Sequence, residues 1–162
     1  MALTKATLKD AILSSLEGYP SSADAASQGW SDAIAEHVST GQSPQGVPPT
    51  PASVSAGKGA LSSGIASAFQ SGSGSGAASG LSAAVVTFYQ GLLFTGATPG
   101  VVSSVGGGGV LSSAMAAAFS ENTSTAATMA QAADRFADAI HACAQTVIVT
   151  HAPPSAVTGA LT

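Results

Sequence analysis

The sequence LSSGIASAF at Leu61–Phe69 recurs with small changes as LSSAMAAAF at Leu111–Phe119, 50 residues later. A looser copy, LKDAILSSL, lies at Leu8–Leu16. In all three segments bulky apolar residues fall at positions i, i+4 and i+8, which is the spacing of one face of an α-helix. Because a repeated unit buries its apolar face against its neighbours, the three copies predict a helical repeat.

A second apolar anchor follows each copy after a turn. Trp30–Ile34 reads WSDAI, Phe136–Ile140 reads FADAI, and Phe88 takes the corresponding place in the middle copy. Each unit is therefore predicted to be a helical hairpin. We expect a mainly α fold, in which three tandem helical hairpins of about 50 residues each pack as one helical bundle. Pro/Gly connectors join them, and a short extended or β C-terminal arm ends the chain.

The whole chain is expected to form a single domain, 1–162. The predicted repeat units are 1–50, 51–98 and 99–150, followed by an extended C-terminal tail at 151–162.

The connectors are recognised by proline and glycine. Pro51–Gly57 is expected to be an extended connector, and Gly106–Gly109 a flexible spacer. A turn at Glu121–Ser124 is expected to join the two helices of the third unit. In the first unit, Ser21–Asp24 has the pattern of a helix start, with a hydroxyl for the open amides and an early carboxylate.

The composition points to a surface that other molecules cover. Apolar residues make up 45% of the chain but charged residues only 7%, against about 25% in an average globular protein. Like-charge repulsion and strong hydration, which normally keep copies apart, are therefore weak. The alternative is a small-residue secreted or linker-like protein that Ser and Thr keep soluble.

Two features mark candidate assembly contacts. The segment Leu81–Leu93 is apolar on more than one helical face, so it lies at the centre of the bundle or contacts another subunit. The β-branched run Gln145–Thr150 favours a strand that could pair with a strand edge of another chain, and a frayed terminus is the alternative. The candidate contacts are Val86, Tyr89, Leu93, Val147, Val149 and Val157.

Several classes of protein are disfavoured. The net charge of −4 and only four basic residues argue against nucleic acid, which needs a basic surface. Cys143 is the only cysteine, so an intramolecular disulfide is impossible, and we expect it to pack as a small apolar residue. The longest apolar stretch is too short for a bilayer, so no membrane anchor is expected.

No catalytic constellation is visible, and we expect no active site, cofactor, metal or small-molecule substrate. Asp138 and His141 share a helix face at i, i+3, a spacing that could offer two ligands, but zinc needs three or four. A surface hydrogen bond or an i, i+3 ion pair is the simpler interpretation, and a metal-dependent enzyme the alternative. His151 is expected to carry a solvated ring. The carboxylates of Asp32, Glu36, Asp134 and Asp138 are expected to form the solvated faces of their helices.

Segments near the C-terminus carry a family resemblance. Phe136–His141, the run Thr146–Thr150 and the ending Val157–Gly159 resemble small Ala/Gly/Ser-rich virion structural proteins of tailed bacteriophages. The resemblance implies a non-enzymatic protein of the tail, neck or baseplate, or a decoration of the head. It implies several copies in the virion, assembled in the host cytoplasm with other virion structural proteins. The alternative is a secreted or adaptor helical binding module.

Overall fold

The computed structural model describes residues 3–18, 20–120, 126–154 and 156–162. Over these residues the chain is mainly α-helical and carries one four-stranded antiparallel sheet. The elements are α1 (Lys5–Glu17), α2 (Ala23–Ser39), α3 (Pro51–Phe69), α4 (Gly74–Gln90), β1 (Leu93–Thr95), β2 (Pro99–Val105), α5 (Gly108–Phe119), α6 (Ala126–Gln145), β3 (Val147–His151) and β4 (Thr158–Ala160).

The six helices form a closed ring. Each helix packs against its neighbours in the sequence, and α6 packs against α1 to close the ring. The contact between α2 and α3 is as extensive as the contact within each consecutive pair, so the bundle does not separate into three independent units. The predicted mainly α fold is confirmed.

The repeated apolar anchors form the core of this ring. In α1, α3 and α5 the first two anchors are buried and the third is half-buried, and the second helix of each pair buries its own anchors. Helical periodicity therefore identified the core correctly. The buried anchors are Leu8, Ile12, Trp30, Ile34, Val38, Leu61, Ile65, Leu81, Val85, Phe88, Leu111, Met115, Met129, Ala133, Phe136, Ile140 and Cys143.

Four aromatic rings from four helices meet in the interior. Trp30 of α2 packs edge-to-face on Phe69 of α3 and Phe136 of α6, with ring centroids 5.5 and 4.8 Å apart. Phe119 of α5 completes the set at 6.3 Å from Phe69 and 4.9 Å from Phe136. Such pairs contribute about 0.5–1.5 kcal/mol each beyond burial, so this cluster holds non-adjacent helices of the ring together.

Hydroxyl caps fix where three helices begin, namely α2, α3 and α4, which are capped by Ser22, Thr50 and Ser73. Ser22 accepts from the amide of Ala25 at 3.1 Å, which confirms the helix start predicted at this position. Thr50 accepts from the amide of Ser53 at 3.2 Å and is followed by Pro51 at the first helical position. Proline suits that position because its missing N–H would be unpaired there anyway. The prediction of an extended connector at Pro51–Gly57 was therefore wrong.

The glycine run before α5 is ordered. Gly107 has φ +73°, a left-handed conformation that favours glycine, and it caps α5, which begins at Gly108. Gly106 is held by Thr146, whose hydroxyl donates to the Gly106 carbonyl at 2.7 Å. The prediction of a flexible spacer at Gly106–Gly109 was wrong, because these glycines form a defined turn into a helix. The predicted turn at Glu121–Ser124 lies outside the described residues.

The sheet joins two distant parts of the chain in the order β1-β2-β3-β4, with every neighbouring pair antiparallel. β1 and β2 precede α5, whereas β3 and β4 follow α6. β3 lies between β2 and β4, and Leu161 after β4 is buried. The C-terminal segment is thus of β type, as predicted, but it folds against the body of its own chain instead of extending from it as a tail.

Candidate assembly surface

The charged side chains of the described residues lie on one side of the ring. Between Lys58 and Glu121 the sequence contains no Asp, Glu, Lys, Arg or His, and after Asp138 only two histidines follow. As a result α4, β1, β2, α5 and β4 carry no acidic or basic side chain. The charges of the described residues lie on α1, α2, α6 and, through Lys58, on α3. The molecule therefore has a charged side and an uncharged side.

Ion pairs on the charged side connect neighbouring helices. Lys5 and Lys9 of α1 approach Asp134 of α6 at 3.5 and 3.2 Å, and Lys5 also approaches Asp138 at 2.7 Å. The hydrogen bond from Lys5 to Asp138 raises the lysine pKa, and the bond from Lys9 lowers the pKa of Asp134. These carboxylates are exposed, as expected, but they pair across the closing contact of the ring.

The outer face of the sheet belongs to the uncharged side and exposes bulky apolar residues. Leu93 of β1 and Val101 of β2 are partners in register and are 50% and 51% exposed. The same row continues through Thr150 of β3 to Thr158 of β4. Because alternate residues of a strand share a face, the flanking outward residues are Thr95, Pro99, Ile148 and Ala160.

The hydroxyl groups of this face bond to one another. Thr150 donates to Ser103 at 3.1 Å, and its oxygen lies 3.2 Å from the hydroxyl of Thr158. Ser103 in turn donates to the carbonyl of Ile148 at 3.2 Å. Since the hydroxyls already have partners, covering this face leaves few polar groups unpaired.

The inner face of the sheet is anchored by His151, which is only 1% exposed. Its Nδ1 donates to the carbonyl of Thr98 at 2.9 Å, so its Nε2 accepts from the hydroxyl of Ser43 at 2.9 Å. Opposite it in register lies Gly100, where an added Cβ would stand 2.5 Å from the imidazole Cε1. The prediction of a solvated His151 was wrong, because the strand pairing turns its side chain into the interior.

The connector between α2 and α3 runs beside both edge strands. Gln42 exchanges backbone hydrogen bonds of 2.7 and 3.0 Å with Thr162, just after β4. At the other edge, the Thr50 amide donates to the carbonyl of Leu93 in β1 at 2.7 Å. β1 and β4 are three residues long. Short, flanked edges offer little template for adding a strand from another chain.

The six candidate contacts differ in how far their side chains are exposed. Tyr89, Val147 and Val149 are fully buried in their own chain, so a folded protomer does not offer them to another molecule. Val86 is half-buried, Leu93 lies on the outer face of the sheet, and Val157 is 41% exposed just before β4. The sequence interpretation missed Val101, Thr150 and Thr158 as surface contacts, and their only signal is the alternation within three short strands.

Tyr89 is a polar group kept neutral inside the core. Its hydroxyl has no hydrogen-bond partner within the described residues, and burial, with a smaller contribution from Cys143, raises its pKa far above the usual range. Burial also raises the pKa of the Cys143 thiol. Cys143 is buried and free, so it packs as an apolar residue, as predicted.

Two histidines meet near the charged seam of the ring. His37 is 2% exposed, and its Nδ1 donates to the carbonyl of Thr4 at 3.1 Å. Its Nε2 therefore accepts from Nδ1 of His141, 3.4 Å away. Burial, and then the neighbouring His141, lowers the pKa of His37 to about 4, and burial followed by Lys5 lowers the pKa of His141.

The structure gives the two residues of the predicted Asp138 and His141 pair different partners. Asp138 is paired with Lys5, and His141 with His37. Within residues 3–18, 20–120, 126–154 and 156–162, no group of three or more His, Cys, Asp or Glu side chains is placed to hold a metal ion.

A cleft of about 440 Å³ lies between α2 and α3 and is walled by Pro48, Pro49 and Pro51. Lys58 at its rim is paired with Asp32, and the hydroxyl of Ser39 donates to the Ala35 carbonyl of its own helix. Most polar groups of the cleft are therefore engaged within the chain. In the part of the chain that the structure describes, no helix is long and apolar enough to cross a membrane.

The chain matches no protein-family model, no curated protein and no solved structure.

Proposed function

We propose that this chain is a non-enzymatic structural protein of a tailed bacteriophage, present in several copies in the tail, neck or baseplate. The observation that carries the proposal is the one-sided distribution of charge. A protein with 7% charged residues that places the charges of its described residues on one side leaves the other side with little of the repulsion that keeps copies apart. Such a surface suits permanent contact with other subunits of a particle.

We also propose that the closed ring consists of three tandem hairpins, α1–α2, α3–α4 and α5–α6. The third anchors of the three first helices, Leu16, Phe69 and Phe119, all line one cavity together with Trp30 and Phe136. Equivalent positions of the repeat thus converge on one region, as expected if each hairpin contributes one third of the ring.

The test is whether the protein is found in purified particles of the phage that encodes it, and where. Mass spectrometry of gradient-purified particles is expected to detect it in several copies, and antibody labelling in electron microscopy is expected to mark the tail, neck or baseplate. Labelling of the head would instead support a decoration protein. Absence from purified particles, with the protein left in the soluble lysate, would contradict the proposal.

A surface variant sharpens this test. Leu93→Lys places a charge on the uncharged side, where the side chain is half exposed and the fold tolerates it. We expect incorporation into particles to fall at least about tenfold, the effect of a like or unpaired charge at an interface. Gln28→Lys, at an exposed position of α2 on the charged side, is the matched control and should be incorporated normally.

A further inference from the structure

We propose that two copies of the chain pack their four-stranded sheets face to face, through the outer face of the sheet. The inference rests on the proposed function, since it names a second copy as one partner in the assembly. The contact residues are Leu93, Val101, Ile148, Thr150 and Thr158.

The first step is the apolar content of the face. Leu93 and Val101 are direct neighbours across β1 and β2 and expose about half of each side chain. Ile148 lies half-buried on the same face of β3. Two sheets stacked about 10 Å apart interdigitate side chains of this size, so a second sheet would remove three apolar side chains from water.

The second step is the low polar cost of covering the face. The hydroxyls of Ser103, Thr150 and Thr158 are already joined in one chain of hydrogen bonds that ends on the carbonyl of Ile148. Burying polar groups is expensive mainly when their hydrogen bonds to water are not replaced. On this face the hydrogen bonds that replace those to water already exist in the free protomer.

The third step selects a second copy as the occupant. A two-fold contact sets the same patch against itself, so a patch without charged side chains brings no like charges together. Contacts between copies through α1, α2 or α6 would bury charged side chains, which is costly, whereas the sheet face carries no charged side chain. A basic partner would be drawn to the carboxylates of those helices and not to the sheet.

The fourth step fixes the geometry as face to face. β1 and β4 are only three residues long, and the connector lies beside each of them at Thr50 and Gln42. Edge-to-edge extension of the sheet into a second molecule is therefore disfavoured. Stacking of the open faces requires no rearrangement of the protomer.

The experiment compares Val101→Lys with Val110→Lys by sedimentation velocity over a range of concentrations. Both side chains are exposed, Val110 at 71%, but Val110 lies on α5 outside the sheet. We expect a dimer for the wild type and for Val110→Lys, and a dissociation constant raised at least about a hundredfold for Val101→Lys, because each copy would bury an unpaired lysine in the contact. Far-UV circular dichroism and the melting temperature confirm that both variants are folded.

A cross-link supplies an independent readout. The native Cys143 is buried, so Val101→Cys and Val110→Cys each introduce a single accessible thiol. Because sheets stacked about 10 Å apart hold facing Cα atoms beyond the reach of a disulfide, a short bis-maleimide is used as the cross-linker. It is expected to link two copies of Val101→Cys and to give little linked dimer for Val110→Cys.

The outcomes separate this contact from the function it rests on. A wild type that stays monomeric at high concentration, or an oligomer that Val101→Lys leaves intact, overturns the sheet contact. If such a protein is nevertheless incorporated into particles, the proposed function stands without it. If the sheet dimer forms but purified particles lack the protein, the function fails and the dimer contact remains.

Discussion

The fold strongly constrains the protonation of His37. Its ring is enclosed, it donates to the carbonyl of Thr4, and its second nitrogen accepts from His141. Lys5 and Asp138 lie beside His141, and their pairing makes this surrounding charge close to neutral. A protonated His37 would lose the bond from His141 and would meet burial without a counter-ion.

We therefore predict that stability falls as the pH drops from about 6.5 towards 4. The folded-state pKa of about 4 lies below the value of about 6.5 in an unfolded chain. The unfolded state thus binds more protons in this window, and the contribution present above pH 6.5 is lost on acidification. Linkage gives an upper limit of roughly 3 kcal/mol. Urea unfolding at several pH values measures it.

His37→Gln is the matched variant, because glutamine can still donate to Thr4 but does not titrate. Taking the difference in unfolding free energy between wild type and variant cancels the contribution that the carboxylates make in both proteins. This difference should change between pH 6.5 and 4.5. Parallel pH profiles for the two proteins would show that His37 is not the group responsible.

At the scale of elements, the contact between α3 and α4 depends on missing side chains. A Cβ at Gly80 of α4 would lie 2.8 Å from the Cβ and 3.2 Å from the Cα of Ala68 in α3. A Cβ at Gly64 would lie 2.8 Å from the Cβ of Ala84. Since backbone atoms cannot move aside as a flexible side chain does, the two helices would have to separate.

Gly80→Ala is predicted to destabilise the protein by about 1–3 kcal/mol, the typical effect of overpacking, although alanine is the better helix former by about 1 kcal/mol. Gly59→Ala is the control, because Gly59 lies in α3 with open space around its Cα. That variant should be stabilised by about 0.5–1 kcal/mol. Thermal and urea unfolding compare the two, and equal stabilisation by both would refute the tight contact.

The elements differ in how far the sequence predicts them. The helical anchors were predictable because Leu61, Ile65 and Phe69 obey a local period that packing reinforces. The start of α3 was missed although Thr50 and Pro51 form a recognised cap and first turn. The strands were less accessible, since β2 gains its partner β3 only from a segment on the far side of two helices.

At the scale of the molecule, the C-terminal strands belong to the fold and not to an appendage. We predict that deletion of residues 147–162 abolishes cooperative folding, because Val147, Val149 and Leu161 are fully or almost fully buried and β2 would lose its partner β3. Circular dichroism during heating is the measurement. Val157→Asp, at an exposed position, is the control and should melt like the wild type.

A truncated chain that keeps wild-type helical signal and a sharp transition would show that the strands are an independent arm after all.

The candidate site was only partly predictable from the sequence, because it depends on how the strands pair. Leu93 was recognised as a contact, but the face around it exists only once register sets Val101, Thr150 and Thr158 in one row. Register is a property of the assembled sheet and leaves little trace in short polar strands.

The packing of α6 on α1 also has a temporal consequence. During synthesis α1 leaves the ribosome long before α6, and until then one of its two neighbouring helices does not exist. The apolar stripe of Leu8 and Ile12 stays incompletely covered until α6 has been synthesised, in a chain with few charges to keep nascent copies apart. The contact that closes the ring therefore forms only after all six helices have been made, and a chaperone that shields α1 can act throughout that interval.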